Sequence, residues 1–248
     1  VIISLDGFRW DYPLMYDTPF LDSLGREGVS AVMRPSFPSK TFPNHYTLAT
    51  GLVPDHHGII ANRFYDVASG RTYSIGDTAT AKDGSFYGGD PIWLTAKRQG
   101  VRVGVVYWPG SDVAINGQYP DYWQDYQKRP LLTFPERVAE IERLMKLPEA
   151  ERPRLVMAYF NEPDHSGHSF GPASKQTRTS VESLDRLLGM LYADLRALPH
   201  GDDINFIVTS DHGMASTSPE RIIRLSEYLE ADWCERVLPD LPALIFPK

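Results

Sequence analysis

Cysteine is nearly missing from this chain of 248 residues: Cys234 is the only one, so no disulfide can form within the chain. Its expected role is that of a small apolar packing residue. Also missing is any apolar run near the roughly 18 residues that a membrane-spanning helix needs, and no membrane span is expected. An excess of positive charge is absent too. The formal net charge is −7, which argues against a surface for duplex nucleic acid, because that needs Lys and Arg to neutralise phosphates. A small anionic ligand stays open, since metal ions can supply local positive charge. No signal-peptide pattern is legible. The chain opens on Val1 rather than Met and stops abruptly at Lys248, as expected of a processed or incomplete chain. Histidine also runs out: none follows His212.

What is present is an ordinary globular composition, 42% hydrophobic and 23% charged, in a chain long enough for one large domain with its own core. No repeat, low-complexity tract or linker divides it. Short apolar runs predict strands at 1–5, 29–34, 101–107, 154–160 and 204–209. The first, third and fifth are near-continuous apolar runs, the pattern of strands buried on both faces. Amphipathic stretches predict helices from Thr18-Pro19 to Gly28, and over 91–99, 134–146, 174–197 and 218–229. Strands alternating with helices predict an α/β fold: a mostly parallel central sheet with helices on both faces. The stretch 61–90, rich in Gly, Asp, Ser and Tyr, is expected to be a long surface excursion that shapes access to a site.

Three of the expected strands run straight into acidic residues. The first ends in Leu5-Asp6-Gly7, the fourth in Asn161-Glu162-Pro163-Asp164, and the fifth in Thr209-Ser210-Asp211-His212-Gly213. In open α/β sheets, ligands bind beyond the carboxyl ends of the strands. If these strands are parallel neighbours, Asp6, Asp164 and Asp211 converge there. Carboxylates so close repel one another, and a bound cation is the simplest way to hold them together. His168 and His212 nearby favour a zinc-like ion over magnesium or calcium. Each motif alone also reads as turn chemistry or a helix cap. The repetition at three strand ends is what favours a metal.

Between the first two strand ends lies Phe37-Pro38-Ser39-Lys40-Thr41-Phe42-Pro43-Asn44-His45-Tyr46, running on to Gly51. Pro43 fits a first helical turn and Gly51 a C-cap. Thr41 then stands at a helix N-terminus, where free N–H groups and the helix dipole favour an alkoxide and a phosphate. Read alone, the segment makes Thr41 a simple N-cap.

Taken together, these segments resemble the nucleotide pyrophosphatase/phosphodiesterase family of the alkaline phosphatase superfamily. The matching pieces are Ser4-Leu5-Asp6-Gly7-Phe8-Arg9, the Thr41 segment, His57-Gly58-Ile59-Ile60-Ala61-Asn62 with Tyr65-Asp66, Glu162-Pro163-Asp164 with Ser166-Gly167-His168, and Ser210-Asp211-His212-Gly213-Met214. The resemblance implies an alkaline-phosphatase-like core, an exported protein and two zinc ions. It implies that Asp6, Thr41, Asp211 and His212 hold one zinc, and that Asp164 and His168 hold the second. Thr41 would be the nucleophile and Asn62 a hydrogen-bond donor to the phosphoryl group. Phe42 and Tyr159 match positions that sandwich a nucleotide base, or else they pack in the core. The family's third ligand to the second zinc is a downstream His that this chain lacks. The expectation is therefore a single phosphodiesterase domain over 1–248 that is missing a C-terminal segment. None of His45, His56, His57, His165 and His200 occupies a family ligand position. The implied activity is hydrolysis of a small nucleotide-type phosphodiester or pyrophosphate through a covalent phospho-threonine, with release of a nucleoside monophosphate. A phosphomonoesterase of the same superfamily and an inactive nucleotide-binding module are the alternatives.

Overall fold

The computed structural model describes residues 1–240 and 242–248. Its first half contains β1 (Ile2–Leu5), α1 (Tyr12–Met15), α2 (Pro19–Glu27), α3 (Thr41–Thr50), α4 (Pro54–His57), β2 (Arg63–Asp66), β3 (Arg71–Ser74), α5 (Thr78–Ala81), α6 (Ile92–Arg98) and β4 (Val103–Val106). The second half adds β5 (Tyr122–Trp123), α7 (Phe134–Met145), β6 (Leu155–Phe160), α8 (Asp164–Phe170), α9 (Lys175–Arg196), β7 (Ile207–Thr209), β8 (Cys234–Leu238) and β9 (Leu244–Pro247). Local chemistry sets several of the boundaries. Pro19 opens α2 at a position where its missing N–H costs nothing. Thr133 and Glu136 form a reciprocal capping box at the start of α7, and Ser174 caps α9. Gly51 ends α3 in the left-handed conformation.

The central sheet has the order β5-β4-β6-β1-β7, and every pairing in it is parallel. Side chains alternate between two cores. On one side Ile3, Leu5, Val156, Ala158 and Phe160 pack against Ile141 and Leu144 of α7 and Leu184, Leu188 and Leu191 of α9. Burying each of these leucines contributes about 2 kcal/mol. On the other side Val103, Val105 and Met157 meet Phe42 and Tyr46 of α3 and Trp93 and Leu94 of α6. Helices thus cover both faces, as the alternation of elements predicts. The strands expected at 1–5, 101–107, 154–160 and 204–209 are all present, in slightly shorter form.

Two expectations fail and a third holds only in part. Residues 29–34 form no strand, and Val29 is 97% exposed. Their alternation suits a strand, but a strand exists only by pairing, and none lies beside it among the described residues. The helix expected over 218–229 is replaced by separate 3-10 turns at Pro219–Arg221 and Leu225–Glu227. Ile222 and Ile223 are exposed there, and so short a helix does not hold without a face to bury. The stretch 61–90 lies largely at the surface but is anchored to the core. Its β2–β3 hairpin inserts Phe64 and Tyr73, and Phe86 and Tyr87 follow them into the second core. Cys234 lies half-buried at the start of the β8–β9 hairpin rather than in either core.

Candidate active site

Because β6, β1 and β7 are parallel neighbours, their carboxyl ends bring Asp6, Asp164 and Asp211 to one place. Backbone bonds lock the arrangement. The Asp6 N–H donates to the Phe160 carbonyl at 2.9 Å, and the Asp164 N–H donates to the Asp6 carbonyl at 2.9 Å. The Gly7 N–H donates to Asp211 Oδ1 at 3.1 Å. Gly7 has φ +66°, and a Cβ there would lie 2.9 Å from the Cβ of Asp164. Glycine is what lets the β1 turn come this close to α8. The chain then leaves β6 through Pro163 and turns directly into α8, whose first residue is Asp164.

Ligand atoms of Asp6, Asp164 and His212 all lie within 4.8 Å of one another. His212 Nε2 is 3.5 Å from Asp6 Oδ1 and 3.2 Å from Asp211 Oδ2. Burial pushes the Asp6 carboxyl well above the ordinary carboxylate range, and the charges of Asp211 and Asp164 push it further. Asp164 is raised as well, again by burial first, with the imidazoles of His168 and His212 opposing. Asp164 Oδ1 and Asp211 Oδ2 are buried and have no hydrogen-bond partner among the described residues. Unpaired buried carboxylate oxygens are costly, and a divalent cation satisfies them at once. The donors, carboxylate oxygens and imidazole nitrogen, suit zinc or a similar ion. These residues therefore fit a metal.

Thr41 is the first residue of α3, and Lys40, the N-cap, makes no side-chain cap. Thr41 Oγ1 lies 3.5 Å from Asp6 Oδ1 and 3.4 Å from His212 Nε2, so the hydroxyl faces the carboxylates. The helix N-terminus offers fewer free donors than the sequence suggests. Pro43 has no N–H, the Asn44 N–H is spent on the Lys40 carbonyl, and the Phe42 N–H donates to Asn62 Oδ1 at 3.1 Å. That last bond fixes the amide of Asn62, since only its oxygen can accept, and leaves the Asn62 NH₂ as a donor. Asn62 stands in the turn just before β2, tied to the residue that follows Thr41.

The remaining expected residues fall in different places. His168 sits one turn along α8, 3.4 Å from Asp164 Oδ1, and its side chain is 75% exposed. It stands beside the cluster rather than within it. Phe42 is buried in the second core. Tyr159 does not present a face to a ligand: it is 3% exposed, its ring stands edge-on to His45 at 5.0 Å, and its hydroxyl donates to Asp6 Oδ2 at 2.6 Å. Of the two places expected for Tyr159, beside a base or in the core, its side chain takes the buried one. As a β6 residue it points into the floor of the site, where it holds a carboxylate. Tyr126 lies 6.2 Å from Tyr159, ring to ring, and is only half-buried. The charge of Asp6 contributes to raising its hydroxyl pKa, second to burial among the raising causes, so it borders the same site. His45 is also drawn in, four residues after Thr41. That spacing on a helix puts both on one face and could have marked it.

A parallel α/β sheet that gathers three carboxylates, an imidazole and a hydroxyl at its carboxyl edge defines a class: proteins that hold a cation beside a candidate nucleophile. The sequence profile described as type I phosphodiesterase / nucleotide pyrophosphatase matches residues 1–246, and the chain belongs to that family. It is 38% identical over 235 residues to ectonucleotide pyrophosphatase/phosphodiesterase family member 3 of Bos taurus, covering 93% of this chain and 26% of the relative. It is 40% identical over 231 residues to venom phosphodiesterase 2 of Crotalus adamanteus, covering 92% of this chain and 28% of the relative. The chain thus spans about a quarter of the length of these curated relatives. Among solved structures it is similar to murine ectonucleotide pyrophosphatase/phosphodiesterase 5, inactive T72A form, in complex with AMP. The TM-score is 0.89 at 35% identity, covering 100% of this chain and 65% of that one.

Proposed function

We propose that residues 1–248 belong to one catalytic domain of a zinc-dependent phosphodiesterase acting on nucleotide-type phosphodiesters or pyrophosphates, with Thr41 as nucleophile. The observation that carries this is the convergence of Asp6, Asp164 and His212 with the Thr41 hydroxyl 3.5 Å from Asp6 Oδ1. Asp6, Asp211, His212 and Thr41 would hold one zinc, and this chain offers Asp164 and His168 to a second. When bound, such ions lower the pKa of a coordinated hydroxyl and neutralise charge on a phosphoryl group.

The chain's own residues do the rest. Thr41 Oγ1 attacks phosphorus in line, a new P–O bond forms to the threonine, and the bond to the leaving oxygen breaks. The Asn62 NH₂ donates to an equatorial phosphoryl oxygen as negative charge builds on it. Water then attacks phosphorus, breaks the Thr41 ester and releases a monoester, a nucleoside monophosphate for a nucleotide substrate. Two in-line displacements give net retention at phosphorus. Tyr126, half-buried at the border of the site, is the aromatic side chain that suits a base, whereas Phe42 packs in the second core. Export of the protein fits relatives named as ecto- and venom enzymes.

The test compares bis-p-nitrophenyl phosphate with p-nitrophenyl phosphate as substrates, with zinc present. The diester should be strongly preferred, and Thr41→Ala should abolish its hydrolysis while the folded state persists by circular dichroism. Retained activity in Thr41→Ala would remove the nucleophile assignment, and preference for the monoester would make this a phosphomonoesterase. His168 standing outside the cluster favours one further reading, a module that binds nucleotide without turning it over. Tight AMP binding with no hydrolysis of either substrate would establish that instead.

A further inference from the structure

His45 lies fully buried on α3, one turn beyond Thr41. Its Nε2 is 2.8 Å from Ser4 Oγ. Its Nδ1 is 2.8 Å from the carbonyl of Thr41 and 3.3 Å from Asp211 Oδ2. The Trp108 indole N–H donates to the His45 carbonyl at 3.0 Å, and the Trp108 and Tyr159 rings stand edge-on to the imidazole at 5.2 and 5.0 Å. These contacts settle the tautomer. A carbonyl and a carboxylate only accept hydrogen bonds, whereas a serine hydroxyl can donate. The proton therefore sits on Nδ1, and Ser4 donates to Nε2.

The Nδ1–H thus bonds to the backbone of the threonine that carries the hydroxyl, and the same nitrogen stands 3.3 Å from the carboxylate at the end of β7, close enough to orient it by charge without a formed hydrogen bond. A histidine placed only to fill space would need neither. We propose that His45 is a positioning residue whose Nδ1–H, held in place by Ser4, ties the first turn of α3 to Asp211 and so keeps Thr41 and Asp211 in fixed relation. This deepens the phosphodiesterase reading and rests on it, since it takes Thr41 as the nucleophile and Asp211 as a ligand to the cation.

The test uses the intact protein and three variants. In His45→Asn the side-chain amide takes the place of Nδ1, in His45→Gln it takes the place of Nε2, and His45→Phe keeps only the volume. Cobalt(II) is titrated into each, following its visible absorption, and kcat and KM are measured on bis-p-nitrophenyl phosphate. His45→Asn should stay close to wild type. His45→Gln and His45→Phe should lose about 10- to 100-fold in cobalt affinity, with kcat falling and KM little changed. Equal losses in all three variants, or none in His45→Phe, would overturn the proposal. Ser4→Ala keeps the imidazole and removes only the bond to its Nε2. It decides the matter if a variant at 45 does not fold: a loss of about fivefold in cobalt affinity, one hydrogen bond's worth, is expected, and no change overturns the proposal. Wild-type protein that binds cobalt but hydrolyses no diester would end the phosphodiesterase reading and still leave the order of cobalt affinities to judge His45.

Discussion

Replacing Tyr159 with Phe removes one oxygen atom and leaves the ring. The lost hydroxyl donates to Asp6 Oδ2 at 2.6 Å in a fully enclosed setting. A hydrogen bond to a charged partner is worth about 1.5–3 kcal/mol, most of it felt when the remaining group is left buried and unpaired. That corresponds to about 10- to 150-fold in an equilibrium. It agrees with the usual cost, about 10- to 100-fold in metal affinity, of deleting a group that orients a metal ligand. The variant should therefore bind zinc more weakly by about that factor, measured by competition with a chromophoric chelator. Its activity should be low at limiting zinc and largely recover when zinc is in excess. If Tyr159 stacked on a base instead, the phenyl ring would serve equally well. Zinc affinity within about twofold of wild type would refute the positioning role drawn from the hydrogen bond.

Three further outcomes follow from the site. Gly7→Ala forces a side chain onto φ +66° and into the Cβ of Asp164; it should cost about 1–3 kcal/mol or more, read as a lower midpoint in thermal unfolding. Tyr126→Ala should raise KM for a nucleotide substrate by about fivefold, the low end of base–aromatic stacking, and leave bis-p-nitrophenyl phosphate nearly unaffected; equal effects on both would remove Tyr126 from base recognition. The raised pKa of Asp6 means that the folded state holds its proton more tightly than the unfolded chain does. Its contribution in metal-free protein is full below the unfolded carboxylate value, about 4, and is lost as pH rises through the folded value. Chelated protein should therefore lose stability over that rise, Asp6→Asn should flatten the slope, and added zinc should reverse it, because the ion needs the carboxylate form.

The sequence made the strand-end carboxylates legible because each closes an apolar run, and a parallel sheet has only one carboxyl edge on which to gather them. It could not separate Tyr159 from Tyr126. Both are aromatic, and the two differ only in where the backbone aims them: Tyr159 continues the alternation of β6 and is turned inward, while Tyr126 lies on the irregular stretch after β5, held by its N–H to Asp112 Oδ2 at 3.2 Å. The pattern at 29–34 was equally readable as a strand, yet pairing is a property of two segments and only one of them is written in that stretch. The 61–90 stretch reads as a surface excursion, and its glycines and aspartates hide the four aromatic residues that anchor it to the core, Phe64, Tyr73, Phe86 and Tyr87.

His45 marks where local reasoning stopped short. As a metal ligand it has no claim, because it matches no ligand position in the family. The structure gives it a different kind of task. Buried carboxylates that are to bind a cation together need neighbours that hold their orientation without cancelling their charge. Asp6 takes the Tyr159 hydroxyl on Oδ2 and Asp211 takes the Gly7 amide on Oδ1, while Asp211 Oδ2, near the His45 imidazole, and Asp164 Oδ1 accept no hydrogen bond among the described residues and suit a cation. Each supporting group lies on an element that also carries something else for the site: Tyr159 on the strand that leads to Asp164, Gly7 beside Asp6, His45 on the helix of Thr41. Orientation and placement are thus set by the same three chain segments, so a change in any one of them should be felt first in metal affinity and only then in turnover.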